Sequence, residues 1–165
     1  MVRGRDRGET PGGSEGAWLS KSVPLYLLDT NILLAYVRRG DLFRRVEASY
    51  SLTTAVPAPA ISIVSEGEIR ALADEFSWGA AKRNVMETLL AGLTVFPLPF
   101  ANVIENYVAV SEFSRRAGRV LGKNDLWIAA TARTTGATLL TTDKDFDHLA
   151  PTLLARDWIN PATTT

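Results

Sequence analysis

The chain has 165 residues, enough for one domain with a sizeable core and too few for two ordinary ones. Apolar residues make up 46% and charged residues 22%, which excludes wholesale disorder, and 18 Lys plus Arg balance 18 Asp plus Glu, so no global field points to a polyanionic partner. Cysteine is absent and His148 is the only histidine, which excludes disulfides, cysteine nucleophiles and multi-histidine metal sites and argues against a Ser-His-Asp relay.

Residues 1–22, MVRGRDRGETPGGSEGAWLSKS, are rich in Gly and charge and lack the apolar stretch of a signal peptide. They are expected to form a flexible N-terminal tail, followed by a folded domain over 23–161 and a short C-terminal tail over 162–165. No run approaches the ~18 apolar residues of a membrane span. The expectation is therefore a soluble, cytoplasmic protein without a membrane partner.

In chain order, the dense apolar run Val23–Leu28 predicts a buried strand. Asp29, Thr30 and Asn31 interrupt it, ILLAYV continues as a helix, and Arg38-Arg39-Gly40 supplies a basic last turn and a stop. A second helix over Leu42–Tyr50 and a loop with Pro57 and Pro59 lead to AISIV, residues 60–64, a β-branched run suited to a strand. SEGEIRALADEF follows with Ile69, Leu72, Ala73 and Phe76 at helical spacing. A helix from about Trp78 to Ala91, a strand within LTVFPL and a helix around Ala101–Arg116 come next.

Asn124 reads as the N-cap of the LWIAATAR helix, which ends near Gly136. ATLLTT is a fourth strand, DKDFDHL a turn and short helix, and TLLARDWI a fifth strand at an edge. Short apolar strands alternating with helices predict a parallel sheet covered on both faces, with ligand chemistry at the carboxyl ends of the strands.

A carboxylate is expected at each strand-to-helix junction: Asp29 after the first strand, Glu68 in the first turn after the second, Asp125 opening a later helix and Asp143 after the fourth strand. Each has an ordinary structural reading. Asp29 can begin an Asx turn, Ser65 and Glu68 match the S-x-x-E capping box, Asp125 favours the positive end of a helix, and Asp143, Asp145 and Asp147 can cap the short helix that follows. Glu66 competes with Glu68, since the two lie about 200° apart around a helix and only one can face a shared cleft.

One shared site is the more economical account of four acids at four such positions. Carboxylates crowded into one cleft repel one another unless a cation lies between them, and oxygen-only ligands favour Mg²⁺ or Mn²⁺.

The segments YLLDTNILLAY, ISIVSEGEIRALA, KNDLWIAATARTTGATLLTTDKDFDHL and, more weakly, ARDWI together resemble the PIN-domain ribonucleases, most closely the VapC-type toxins of toxin–antitoxin systems. The resemblance runs from about Leu25 to Ile159. It implies a three-layer α/β/α sandwich with a mainly parallel five-stranded sheet, and an endoribonuclease dependent on Mg²⁺ or Mn²⁺ that cleaves RNA with metal-activated water. Asp29, Glu68, Asp125 and Asp143 would be catalytic, and Asp29, Asp125 and Asp143 would hold the metal. Glu68 is preferred to Glu66 because the family pattern places a Ser or Thr three residues before the glutamate, where Ser65 stands.

Asn31, Asn124 and Thr142 match positions where the family has small polar residues, and are expected to orient acids or bind water. The implied partners are an RNA substrate, a small cognate antitoxin protein and a second copy of the chain in a homodimer. The acidic, glycine-containing Glu66-Gly67 start of the third helix departs from the pattern, as does the long N-terminal tail.

Candidates for contact with an RNA backbone are Arg38, Arg39, Arg44, Arg45, Arg115, Arg116, Arg119, Lys123 and Lys144. The alternatives are a stand-alone RNA-processing PIN nuclease and a non-enzymatic phosphoaspartate receiver. The receiver needs an acidic pair near the first strand and a late strand-end lysine, and LLDTN lacks the pair.

Overall fold

Leu27 and Leu28 point to opposite sides of an extended chain, yet both are buried, and the same is true of Ala60 and Ile61 and of Leu139 and Leu140. Strands buried on both faces require a helical layer on each side. The computed structural model, which describes residues 23–162, has that form.

Five strands, β1 (Tyr26–Leu28), β2 (Ala60–Ser62), β3 (Thr94–Phe96), β4 (Thr138–Thr141) and β5 (Ala155–Trp158), pair in the order β3-β2-β1-β4-β5, every pair parallel. Leu27 stands opposite Ala60 on one side and Leu139 on the other, which puts these three on one face and Leu28, Ile61 and Leu140 on the other.

The helices are α1 (Thr30–Arg38), α2 (Asp41–Tyr50), α3 (Ile63–Glu75), α4 (Ala80–Ala91), α5 (Val103–Arg116) and α6 (Lys123–Thr135), with a 3₁₀ helix over Lys144–Leu149. Leu28, Ile61 and Leu140 pack with Ile32, Leu33 and Tyr36 of α1, Val46 of α2, Ile69 of α3 and Met86 and Leu90 of α4. Leu27, Ala60 and Leu139 pack on the opposite face with Val110 of α5, Ile128, Ala129 and Ala132 of α6, and Phe146 and Leu149. Each fully buried Leu, Ile or Phe contributes about 1.5–3 kcal/mol relative to exposure, so the two layers hold the sheet from both sides. This is a three-layer α/β/α sandwich around a five-stranded parallel sheet.

The chain runs outward from β1 through β2 to β3 and then returns to place β4 on the other side of β1. That reversal opens a crevice beyond the carboxyl ends of β1 and β4.

Several local expectations are corrected. The first strand begins at Tyr26 rather than Val23, and β2 ends at Ser62, so Ile63 and Val64 are helical despite their β-branched side chains. The reason is a cap: the Ser62 hydroxyl accepts the Val64 N–H at 3.2 Å and starts α3 there. Ser65 is therefore buried inside α3, and the Ser65–Glu68 capping box does not form at its start. Asn124 is likewise not a cap. Gly122 takes that position with extended backbone, and Asn124 is the second residue of α6. The expected tail over 1–22 lies outside the described residues, as do positions 163–165 of the C-terminal tail.

Candidate active site

Asp29 follows β1 directly and caps α1. It is 4% exposed, and two donors hold its carboxylate: Oδ1 accepts the Thr30 N–H at 2.7 Å and Oδ2 accepts the Thr141 hydroxyl at 2.6 Å. Burial raises its pKa above the usual carboxylate range in spite of those bonds, and the charges of Glu68 and Asp143 push the same way.

Glu68 reaches the same cleft from α3. Its Oε2 accepts the Thr30 hydroxyl and its Oε1 accepts the Asn124 amide at 2.8 Å, so donors from α1 and α6 orient one carboxylate. Glu66 points elsewhere: Arg70 binds it at 2.9 Å and also bridges to Glu87 on α4. The ambiguity between the two glutamates resolves in favour of Glu68 facing the cleft.

Asp125 lies in the first turn of α6, whose N-terminus opens at the carboxyl edge because the helix runs antiparallel to the strands. Burial and then the charges of Asp29, Asp143, Glu68 and Asp145 push its pKa up to about 6. Room for this carboxylate depends on Gly122: a Cβ there would lie 3.0 Å from Asp125 Oδ2. Asp143 caps the 3₁₀ helix, its Oδ1 accepting the Asp145 N–H at 2.8 Å, while its own N–H donates to the Thr141 hydroxyl at 2.9 Å.

The four carboxylates, with Thr30 and Asn31, line one open cleft of about 350 Å³. Asn31 is exposed at its rim. Thr142 does not share the arrangement. Its backbone carbonyl accepts the Trp158 indole N–H at 2.9 Å, and the hydroxyl that reaches Asp29 is that of the adjacent, fully buried Thr141. Thr30 and Thr141 donate to two of the candidate acids, Glu68 and Asp29, and sequence reasoning passed over both. Their signal was a hydroxyl at the core-facing end of an apolar run. A concavity of about 490 Å³, bounded by Tyr36, Phe43, Val85 and Leu89, has no carboxylate among its described lining residues, and another of about 460 Å³ is lined by Arg119, Lys144, Asp145, Asp147 and His148 but by none of the four acids.

Among the described residues, no three acidic or histidine side chains stand at metal-ligating spacing. The donor set still suits a hard divalent cation, being all oxygen and mutually repulsive, with Asp125 holding its proton to about 6 when only protein charges face it.

Much of the expected basic surface is engaged within the chain. Arg44 pairs with Asp41, Arg116 with Glu112, and Arg45 binds the carbonyls of Asn160 and Pro161. Arg39 lies over Phe43 and Lys144 over Trp158. Arg38, Arg115, Arg119 and Lys123 are exposed and enter none of the ion pairs among the described residues.

The family model for the PIN domain matches residues 26–151, which takes in all four acids. The chain belongs to the PIN-domain family. PIN domains are a family of nucleases. No curated protein sequence matches this one.

Among solved structures, this PIN domain is similar to VapBC2 from Rickettsia felis bound to a DNA fragment from its promoter, with 20% identity over 82% of this chain and 99% of the other and a TM-score of 0.69. VapBC-1 from nontypeable Haemophilus influenzae is 24% identical over 81% and 97% of the two chains, with a TM-score of 0.63. VapBC-5 of Mycobacterium tuberculosis, a member of the VapBC family of toxin–antitoxin systems, is 21% identical over 82% and 98%, with a TM-score of 0.57. These likenesses establish the shared fold. No helix among the described residues is long and apolar enough to cross a membrane.

Proposed function

We propose that this PIN domain is a divalent-metal-dependent endoribonuclease and the toxin of a type II toxin–antitoxin pair. The observation that carries the nuclease reading is the convergence of Asp29, Glu68, Asp125 and Asp143 in one cleft, oriented by Thr30, Thr141 and Asn124. Asp29, Asp125 and Asp143 would hold Mg²⁺ or Mn²⁺, with Glu68 facing the same cleft. When bound, such an ion supplies Lewis-acid polarisation of a phosphodiester and lowers the pKa of water.

The chain's own residues do the rest. Asp29 is locked by two hydrogen bonds, so its geometry does not have to be found at each turnover. Glu68, with both oxygens already oriented, directs a remaining lone pair at the attacking water and accepts a hydrogen bond from it. Asn31, at the rim, would bind a second water. Attack in line would leave a 5′-phosphate and a 3′-hydroxyl.

The toxin reading is supported by the VapBC neighbours, which are toxin–antitoxin proteins, and brings with it a small antitoxin and a homodimer. The test of the nuclease uses purified protein, structured RNA and Mg²⁺ or Mn²⁺, with Asp29→Asn and Asp125→Asn in parallel. Undiminished cleavage by both variants removes the site. Growth arrest on expression, relieved by a small DNA-binding protein encoded beside this chain, is the corresponding test of the toxin role.

A further inference from the structure

The acidic cleft continues past its carboxylates. Glu68, Ala71, Leu72 and Glu75 recur at helical spacing on one face of α3 and, with Asn31 and Leu34 of α1, line a groove leading away from the acids. Glu75 lies seven helical positions beyond Glu68, about 10 Å along the axis. The chemistry changes along that length, from polar at Asn31, through apolar at Leu34, Ala71 and Leu72, to a carboxylate at Glu75. Glu75 is exposed and enters no ion pair or side-chain hydrogen bond among the described residues, whereas the adjacent Asp74 pairs with Arg83 at 2.9 Å.

A phosphate is a poor occupant of this groove. Among the described residues no Lys or Arg lines it, and acids stand at both ends. A flat neutral group with N–H donors on its outer edge suits both parts, its ring against the leucines and its donors toward Glu75. An unpaired nucleobase is such a group, since single-stranded RNA is read by the edges of splayed bases.

Guanine fits best. Its N1–H and N2–H lie side by side and point the same way, matching the two oxygens of one carboxylate in a bidentate pair. Adenine and cytosine offer a single exocyclic amine, and the one N–H of uracil is flanked by carbonyls that a carboxylate repels.

We propose that the α1–α3 groove seats an unpaired guanine beside the scissile phosphate, with Glu75 reading its Watson–Crick edge. This rests on the nuclease reading above and adds a base preference to it.

The test incubates wild-type protein and Glu75→Gln with a randomised pool of single-stranded RNA and Mg²⁺, and reads the cut ends by sequencing. The wild type is expected to enrich guanine at one fixed position next to the cut, and Glu75→Gln to reduce that enrichment about tenfold, as for one lost bidentate base contact. Replacing that guanine by inosine, which lacks the N2 amine, should slow the wild type and leave Glu75→Gln little further affected, because base and side chain then report one contact.

Cutting by the wild type without base preference, or a guanine preference that survives Glu75→Gln, overturns the inference while leaving the nuclease intact. The same is true if Glu75→Gln weakens only the binding of an arginine-containing peptide, which would make the groove a protein site. Failure of the wild type to cut any RNA overturns both readings.

Discussion

Thr141 donates its hydroxyl to Asp29 Oδ2 at 2.6 Å across the β4–β1 pair. The Thr141 hydroxyl oxygen in turn accepts the Asp143 N–H at 2.9 Å, so one fully buried side chain joins two of the acids. Thr141→Val keeps the shape and removes the hydroxyl, leaving a buried carboxylate oxygen and a backbone N–H without this partner. We expect a loss of about 1–3 kcal/mol of stability, measured by urea unfolding, with Thr141→Ser close to wild type. Equal stability of the valine variant would mean that the hydroxyl holds nothing.

Asp125 gives the apo protein a pH dependence of defined sign. Its folded pKa, about 6, lies above its ordinary 3.8, so between those values the folded state binds more protons than the unfolded one. Stability from this group is therefore fully present at low pH and declines as pH rises through about 6. Asp125→Asn should flatten that slope and stabilise the metal-free protein at neutral pH by about 1–2 kcal/mol after allowance for solvent screening. Thermal unfolding between pH 4 and 8 in chelator checks it, and a variant less stable than wild type at pH 7.5 contradicts it.

Metal should act in the opposite sense. If the acids share a divalent ion, adding Mn²⁺ or Mg²⁺ at 100 times its dissociation constant raises wild-type stability by about 2.7 kcal/mol. The Asp29→Asn/Asp125→Asn double variant should show little response in the same melting experiment.

Gly122 tests positioning without touching an acid. Its φ of −60° is open to alanine, but the added Cβ would crowd the Asp125 carboxylate. Gly122→Ala should leave stability within about 1 kcal/mol and lower RNA cleavage by up to roughly tenfold, as expected for a reacting group displaced by a few tenths of an ångström. Wild-type turnover would show that Asp125 is free to move aside.

The two glutamates of α3 can be separated directly. Glu68→Gln weakens both oriented hydrogen bonds and should reduce cleavage by at least about tenfold. Glu66→Gln disturbs only the surface link to Arg70, so it should change stability by about 0.5 kcal/mol or less and leave cleavage unaltered. Reversal of this order in a single-turnover assay would transfer the site to Glu66.

Much of the architecture was legible because it rests on short-range signals. The pairs Leu27–Leu28, Ala60–Ile61 and Leu139–Leu140 read as doubly buried strands, and the alternation with helical periods led to a parallel, three-layer sheet. Element ends were less legible. Ile63 and Val64 have strand propensity but are drawn into α3 by the Ser62 cap, and Asn124 has a good cap side chain but gives its amide to Glu68. In each case one tertiary or capping contact outweighs a propensity worth only a few tenths of a kcal/mol.

By itself the sequence determined that Asp29 and Asp143 would stand at strand-to-helix junctions and Asp125 at the start of a helix, since periodicity and turn chemistry are properties of neighbours along the chain, whereas Glu68, expected in the first turn after the second strand, lies in the second turn of α3. Only the tertiary structure decided which hydroxyls and amides hold them. Thr30 meets Glu68 across 38 positions, Asn124 meets it across 56, and Thr141 meets Asp29 across 112. A hydrogen bond forms only within about 3 Å, and no local pattern specifies which residues so far apart in the chain will come that close.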